Sequence, residues 1–93
     1  MGVAITFDPA KREWTLKNRG LDFLDAALVF GSANYATAVD DRRDYGEVRY
    51  ITAGFLRGEM VVFAWTPRGA DHHVISMRYC HAKEEAKWRE RIG

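Results

Sequence analysis

An α+β domain in the order β-α-α-β-β-β-β-α is what three features of these 93 residues predict. Two helix starts with two glycine stops fall between residues 9 and 31, β-branched and aromatic residues broken by turn signals fill 47 to 79, and good helix formers fill 82 to 92. The sheet expected from this order is twisted and antiparallel, with the helices packed on one side.

Val3 to Phe7 is short and mostly apolar and reads as a strand, and Asp8-Pro9 suits the N-cap and first turn of a helix. That helix runs over about residues 9–19, with Ala10 and Trp14 four apart on a narrow apolar stripe and Gly20 as its left-handed stop. Asp22 caps a second short helix with Asp25 in its first turn. Phe23, Ala26, Ala27 and Phe30 then share one side before Gly31. A weaker strand covers Tyr35 to Asp40 and is followed by the polar loop Asp41 to Gly46. Three stronger strands span Glu47 to Phe55, Met60 to Thr66 and His72 to Tyr79, joined by Arg57-Gly58-Glu59 and Pro67-Arg68-Gly69-Ala70. The last helix, Ala82 to Ile92, has Trp88 as its apolar anchor. Trp14, Phe23, Phe30, Phe63 and Trp65 are expected in the core.

With 47% hydrophobic and 29% charged residues the chain is not disordered, and its length permits one domain over 1–93 with a modest core. No apolar run reaches the roughly 20 residues that span a bilayer, and Met1 to Asp8 lacks a signal-peptide pattern, so a cytoplasmic location is expected. Cys80, the single cysteine, can form neither an internal disulfide nor a cysteine cluster for zinc, and is expected to be partly buried and inert. A net charge of +1 excludes a general polycation. Placement matters more than the sum: Lys11 to Gly20 carries a local +3, and Thr66 to Lys83 carries +2 together with all three histidines.

Phe7-Asp8-Pro9-Ala10-Lys11, Gly20, Phe23, Ala27, Val29-Phe30, Asp40-Asp41-Arg42, Gly46-Glu47-Val48-Arg49 and Val74-Ile75-Ser76-Met77-Arg78 follow one another along almost the whole chain. In this order the sequence resembles the BrnT family of toxins. The resemblance implies a RelE-like fold and a type II toxin-antitoxin system whose toxin is a ribonuclease that blocks translation. It also implies a ribbon-helix-helix antitoxin of the BrnA type, in a complex of two toxins and two antitoxins that binds operator DNA through the antitoxin. Two departures stand out. Asn18-Arg19-Gly20 replaces the usual Lys-His-Gly, so Arg19 keeps a charge but cannot exchange protons near neutral pH, and Thr15 replaces an Asn. In the last helix Glu84, Glu85 and Glu90 nearly cancel Lys83, Lys87, Arg89 and Arg91, which weakens the expected grip on RNA.

Cleaving RNA without metal uses the 2′-hydroxyl as nucleophile, so a protein must supply a base, an acid and cations around the phosphate. Arg49 and Arg78 lie in predicted strands and suit the last task, being planar, permanently charged and bidentate. Arg49 could equally pair with Glu47 or a cross-strand acid, and Arg78 could end a strand at the surface. Glu47 is a candidate base and His81 a candidate acid or base. Lys11, Arg12, Arg19, Arg68 and Lys83 are candidates for flanking phosphates, against plain solubility, and Tyr79 for stacking on a base. His72 and His73 point to opposite faces of a strand and are expected at the surface. Asp71, a histidine and His81 have no recognised ligand spacing, so neither metal nor cofactor is expected. A non-catalytic module of the same fold, paired with an antitoxin as a DNA-bound co-repressor, is the alternative that Arg19 and the balanced charge favour.

Overall fold

The computed structural model describes residues 3–93. The chain forms β1 (Ile5–Phe7), α1 (Pro9–Arg19), a 3₁₀ turn (Phe23–Asp25) leading into α2 (Ala26–Phe30), β2 (Tyr35–Val39), β3 (Tyr50–Leu56), β4 (Glu59–Arg68), β5 (Asp71–Tyr79) and α3 (Ala82–Ile92). The predicted order of elements is found, and the starts have local causes. The Asp8 carboxylate accepts from the Ala10 N–H (3.0 Å), and Gly20, at φ 69°, returns its N–H to the Leu16 carbonyl (3.0 Å). Asp22 does for the 3₁₀ turn what Asp8 does for α1, accepting from the Leu24 N–H (3.0 Å). Arg57 and Gly58 both adopt positive φ, which makes a two-residue hairpin between β3 and β4.

The sheet order is β1-β5-β4-β3-β2, and it is mixed rather than wholly antiparallel. β2 to β5 form an antiparallel meander, but β1 lies parallel to β5, with Ile5 opposite His72 and Phe7 opposite Val74. Three reversals between β2 and β5 leave β5 running in the direction of β1. The long stretch between these two strands supplies the connection that a parallel pair needs.

One face of the sheet holds the main core. Val61, Phe63 and Trp65 of β4 and Val74 and Met77 of β5 meet Leu21, Phe23, Ala26 and Val29. The Phe30 ring lies edge-on to Phe63 (5.4 Å) and Trp65 (5.3 Å). The expectation of helices on one side is overturned. Gly54 faces Val29 of α2, so Phe55 points to the other face, and there Arg89 of α3 lies over its ring at 5.1 Å. The reason lies in β4, where Met60 and Val62 are as buried as Val61 and Phe63, so both faces of this strand need cover.

Two aromatic expectations also change. Trp14 is 54% exposed, because α1 buries only Thr15, while Trp14 stacks with Arg19 (5.0 Å). His72 is half-buried rather than superficial, stacked on Trp65 at 4.3 Å, and His73 on the opposite face shares a 2.9 Å hydrogen bond with Thr6. Burial lowers the His73 pKa.

Gly54 is the tightest point of the core, since an added Cβ would lie 2.4 Å from Val29 Cγ1 and 3.2 Å from Tyr35 Cβ. Gly54→Ala is expected to destabilise the domain by about 1–3 kcal/mol through overpacking, read as a lower urea midpoint at unchanged slope.

Candidate active site

On the face covered by α3, Ile51, Val62, Ala64, Ser76 and Arg78 floor a cleft of about 130 Å³ walled by Arg42, Glu84 and Trp88. A bulge in β5 sets which of its side chains face the cleft. Trp65 pairs with Val74 while Ala64 pairs with Ser76, so Ile75 is an extra residue. Strict alternation would put Val74, Ser76 and Arg78 on one face. The bulge instead leaves Val74 and Met77 in the core and turns Ser76 and Arg78 towards the cleft.

Arg78 donates Nη1 and Nη2 to the two oxygens of Glu84, each at 2.8 Å. Glu84 also accepts from the His81 N–H (3.3 Å) at the start of α3, so one carboxylate ties the helix to the strand. The guanidinium, its largest influence, holds the Glu84 carboxyl at about 2. Opposite Arg78, Arg42 makes the same kind of fork to Asp40, with Nε on Oδ1 (2.8 Å) and Nη2 on Oδ2 (3.0 Å), and the Tyr45 hydroxyl donates to Oδ2 at 3.2 Å. The Asp40 side chain is only 1% exposed and that of Arg42 is 70% exposed, so a largely open arginine is anchored by a buried carboxylate. Hydrogen bonding to Arg42 holds Asp40 at about 2. The Arg42 charge reaches Arg78 and opposes the rise that Glu84 produces there, so two like charges share one cleft.

These pairs set an acid limit. Both carboxyls titrate at about 2, below their ordinary 3.8 and 4.5, so their contribution to stability is complete above about pH 4.5 and disappears as pH falls towards 2. Thermal melts should show stability level above that pH and falling below it, and Glu84→Gln should flatten part of the fall.

Arg49 does not join Arg78. It precedes β3 instead of lying in a strand, and its Nε donates to Glu47 (3.2 Å) while its guanidinium covers the Tyr45 ring at 3.9 Å. Tyr50 stands opposite Trp65 and Arg78 opposite Val62, so the two arginines belong to parts of the sheet about four residues apart along β4, roughly 13 Å.

A family model described as a ribonuclease toxin, BrnT, of type II toxin-antitoxin systems matches residues 7–84, which takes in Arg42, Arg49, Arg78 and Glu84. The chain belongs to the BrnT family. Membership gives it RNA as a target and an antitoxin as a partner. No curated protein matches it. No helix among the described residues is long and apolar enough to cross a membrane.

In this BrnT chain His81 opens α3 and lines a hollow beside the cleft with Lys83, Lys87 and Arg91, sharing Glu84 and Trp88 with it. Lys11 and Arg19 line another hollow with Ser76, past Val74 where β1 stops pairing with β5, and Arg19 donates to the Met77 carbonyl (2.8 Å). Arg12 is bound to Asp22 by two 2.8 Å bonds and covers the Phe7 ring. Arg68 is exposed at the far end of β4, and Tyr79 is partly exposed at the end of β5. Burial pushes the Cys80 thiol up to about 12, which keeps it protonated and a poor nucleophile. Arg42 and Glu84 are the cleft residues that sequence reasoning did not select. The signal for Arg42 was Asp40-x-Arg42 directly after a strand, a spacing that lets one carboxylate hold the guanidinium.

Proposed function

We propose that this chain is a metal-independent endoribonuclease that cleaves RNA in the α3-covered cleft and thereby stops translation in the cytoplasm. A 2′-oxygen attacks the adjacent phosphorus, the P–O5′ bond breaks, and a cyclic phosphate and a 5′-hydroxyl result, with one proton removed from the nucleophile and one delivered to the leaving oxygen. Arg78 carries this reading, because its guanidinium is mounted on a strand and lines the cleft, where two oxygens of the crowded phosphate would take the place of the Glu84 oxygens it now holds. Glu84, at about 2, is too weak a base to take the proton and serves as the counter-ion of Arg78. His81, beside the cleft, is the group for proton transfer. Lys83, Lys11 and Arg19 would hold flanking phosphates, with Tyr79 stacking on a base. Arg49, with Glu47, would meet the strand further along, and Arg68 and Arg12 are peripheral. A ribbon-helix-helix antitoxin of the BrnA type would neutralise the toxin in a complex of two and two that binds operator DNA.

Expression of the chain alone, followed by primer extension on cellular RNA, tests this. Growth arrest with new 5′ ends is expected, and purified protein should cut RNA equally in chelator. The carboxylates already paired with Arg78 and Arg49 favour a second reading, a non-catalytic module that binds an antitoxin. Normal growth with intact RNA, despite soluble folded protein, would favour it.

A further inference from the structure

We propose that Arg42 is a second phosphate-binding guanidinium, forming with Arg78 a two-arginine seat for one phosphodiester of single-stranded RNA. The inference rests on reading the cleft as the place where RNA binds, and extends it to a residue 36 positions before Arg78 in the chain.

The anchoring of Arg42 is the first ground. A surface arginine needed only for solubility is free to move, whereas this one is held by a carboxylate that is itself buried and that also accepts from Tyr45 and from the Arg42 N–H (3.4 Å). Immobilising a charged tip at the mouth of a cleft is how a binding group is preorganised, since the entropy of ordering it is lost on folding and not on binding. Direction is the second ground. Nε and Nη2 hold Asp40, and Nη1 makes no hydrogen bond among the described residues, so the remaining donors are open to a ligand. Like charge is the third. Arg42 and Arg78 repel across the cleft, and their carboxylates bind each from its own side, Asp40 from the end of β2 and Glu84 from α3. A phosphate between them would relieve that repulsion and compete with Glu84 for Arg78, while Asp40 kept Arg42 in place. Ser76, exposed on the cleft floor, adds a hydroxyl donor.

Asp40 is accordingly a positioning residue, acting on the phosphate through Arg42. The test is binding of a labelled 2′-O-methyl oligoribonucleotide, which cannot be cut, to the full chain across a salt series. Arg42→Gln should weaken binding about tenfold and reduce the slope of log affinity against log salt by about 0.7, the value for one lost contact on a single strand. The double variant Asp40→Asn/Arg42→Gln, which leaves no buried charge unpaired, should do the same. Arg42→Lys, which keeps Asp40 paired, should retain the slope and lose several-fold in affinity with the fork. Wild-type affinity and slope in the folded double variant, wild-type affinity in Arg42→Lys, or no binding by the wild type would each overturn the seat. Cleavage of unmodified RNA in parallel separates the two readings. Cutting with binding indifferent to Arg42 removes the seat and leaves the nuclease, while Arg42-dependent binding without cutting does the reverse.

Discussion

Arg78→Ala is expected to lower RNA cleavage by roughly 10²–10³-fold, the usual loss when one fixed donor to a transition-state oxyanion is removed. The domain should stay folded. The Arg78–Glu84 pair is partly exposed, and such pairs contribute roughly 0–1 kcal/mol. Without the guanidinium, Glu84 still accepts from the His81 N–H and still lies in the first turn of α3, where a negative charge is favoured. Arg78→Lys keeps the charge without the fork and should fall between wild type and alanine. Single-turnover cleavage of a short RNA, with a urea melt of each variant, reads both effects. An unchanged rate in a folded Arg78→Ala protein would take Arg78 out of the site.

The largest stability loss is expected at Phe63, which is 1% exposed and sits at the centre of the main core against the Phe30 ring. Phe63→Ala should destabilise by about 3–5 kcal/mol, from lost burial and the cavity left behind. Domains of this kind have about 5–15 kcal/mol in total, so the variant should melt well below the wild type, more than about 10 °C lower. Cleavage should fall only with the folded fraction, because the Phe63 side chain packs into the main core against Phe30, whereas its neighbours Val62 and Ala64 alternate to the cleft face of β4. Trp14→Ala is the control. Half-exposed and outside the core cluster, Trp14 should tolerate truncation with a change within about 0.5 kcal/mol. Equal losses at Trp14 and Phe63 would contradict the arrangement of α1 on the sheet.

Trp14 shows where reading residues one at a time fails. Its spacing from Ala10 marks a stripe, but which stripe a helix buries depends on how it meets the sheet, and α1 meets it through Thr15. The second face of β4 was legible in the run from Met60 to Trp65, which is apolar throughout instead of alternating and therefore asks for cover on both sides. Arg78 could be selected from its motif and its place on a strand. Glu84 could not, since it acts in the cleft only after the chain has folded back on itself, and for Arg42 the Asp40-x-Arg42 spacing marks an anchored guanidinium but not the cleft that it lines.

The kinds and order of the elements were decided by the sequence alone, because caps such as Asp8 and Asp22, stops such as Gly20, and β-branched runs act within a few residues. Tertiary structure alone decided that β1 lies parallel to β5, that α3 crosses to the opposite face, and that Arg78 faces Arg42 and not the core. The last follows from one extra residue at Ile75. A bulge is set by how two strands and their side chains pack together, and alternation within either strand carries no record of it.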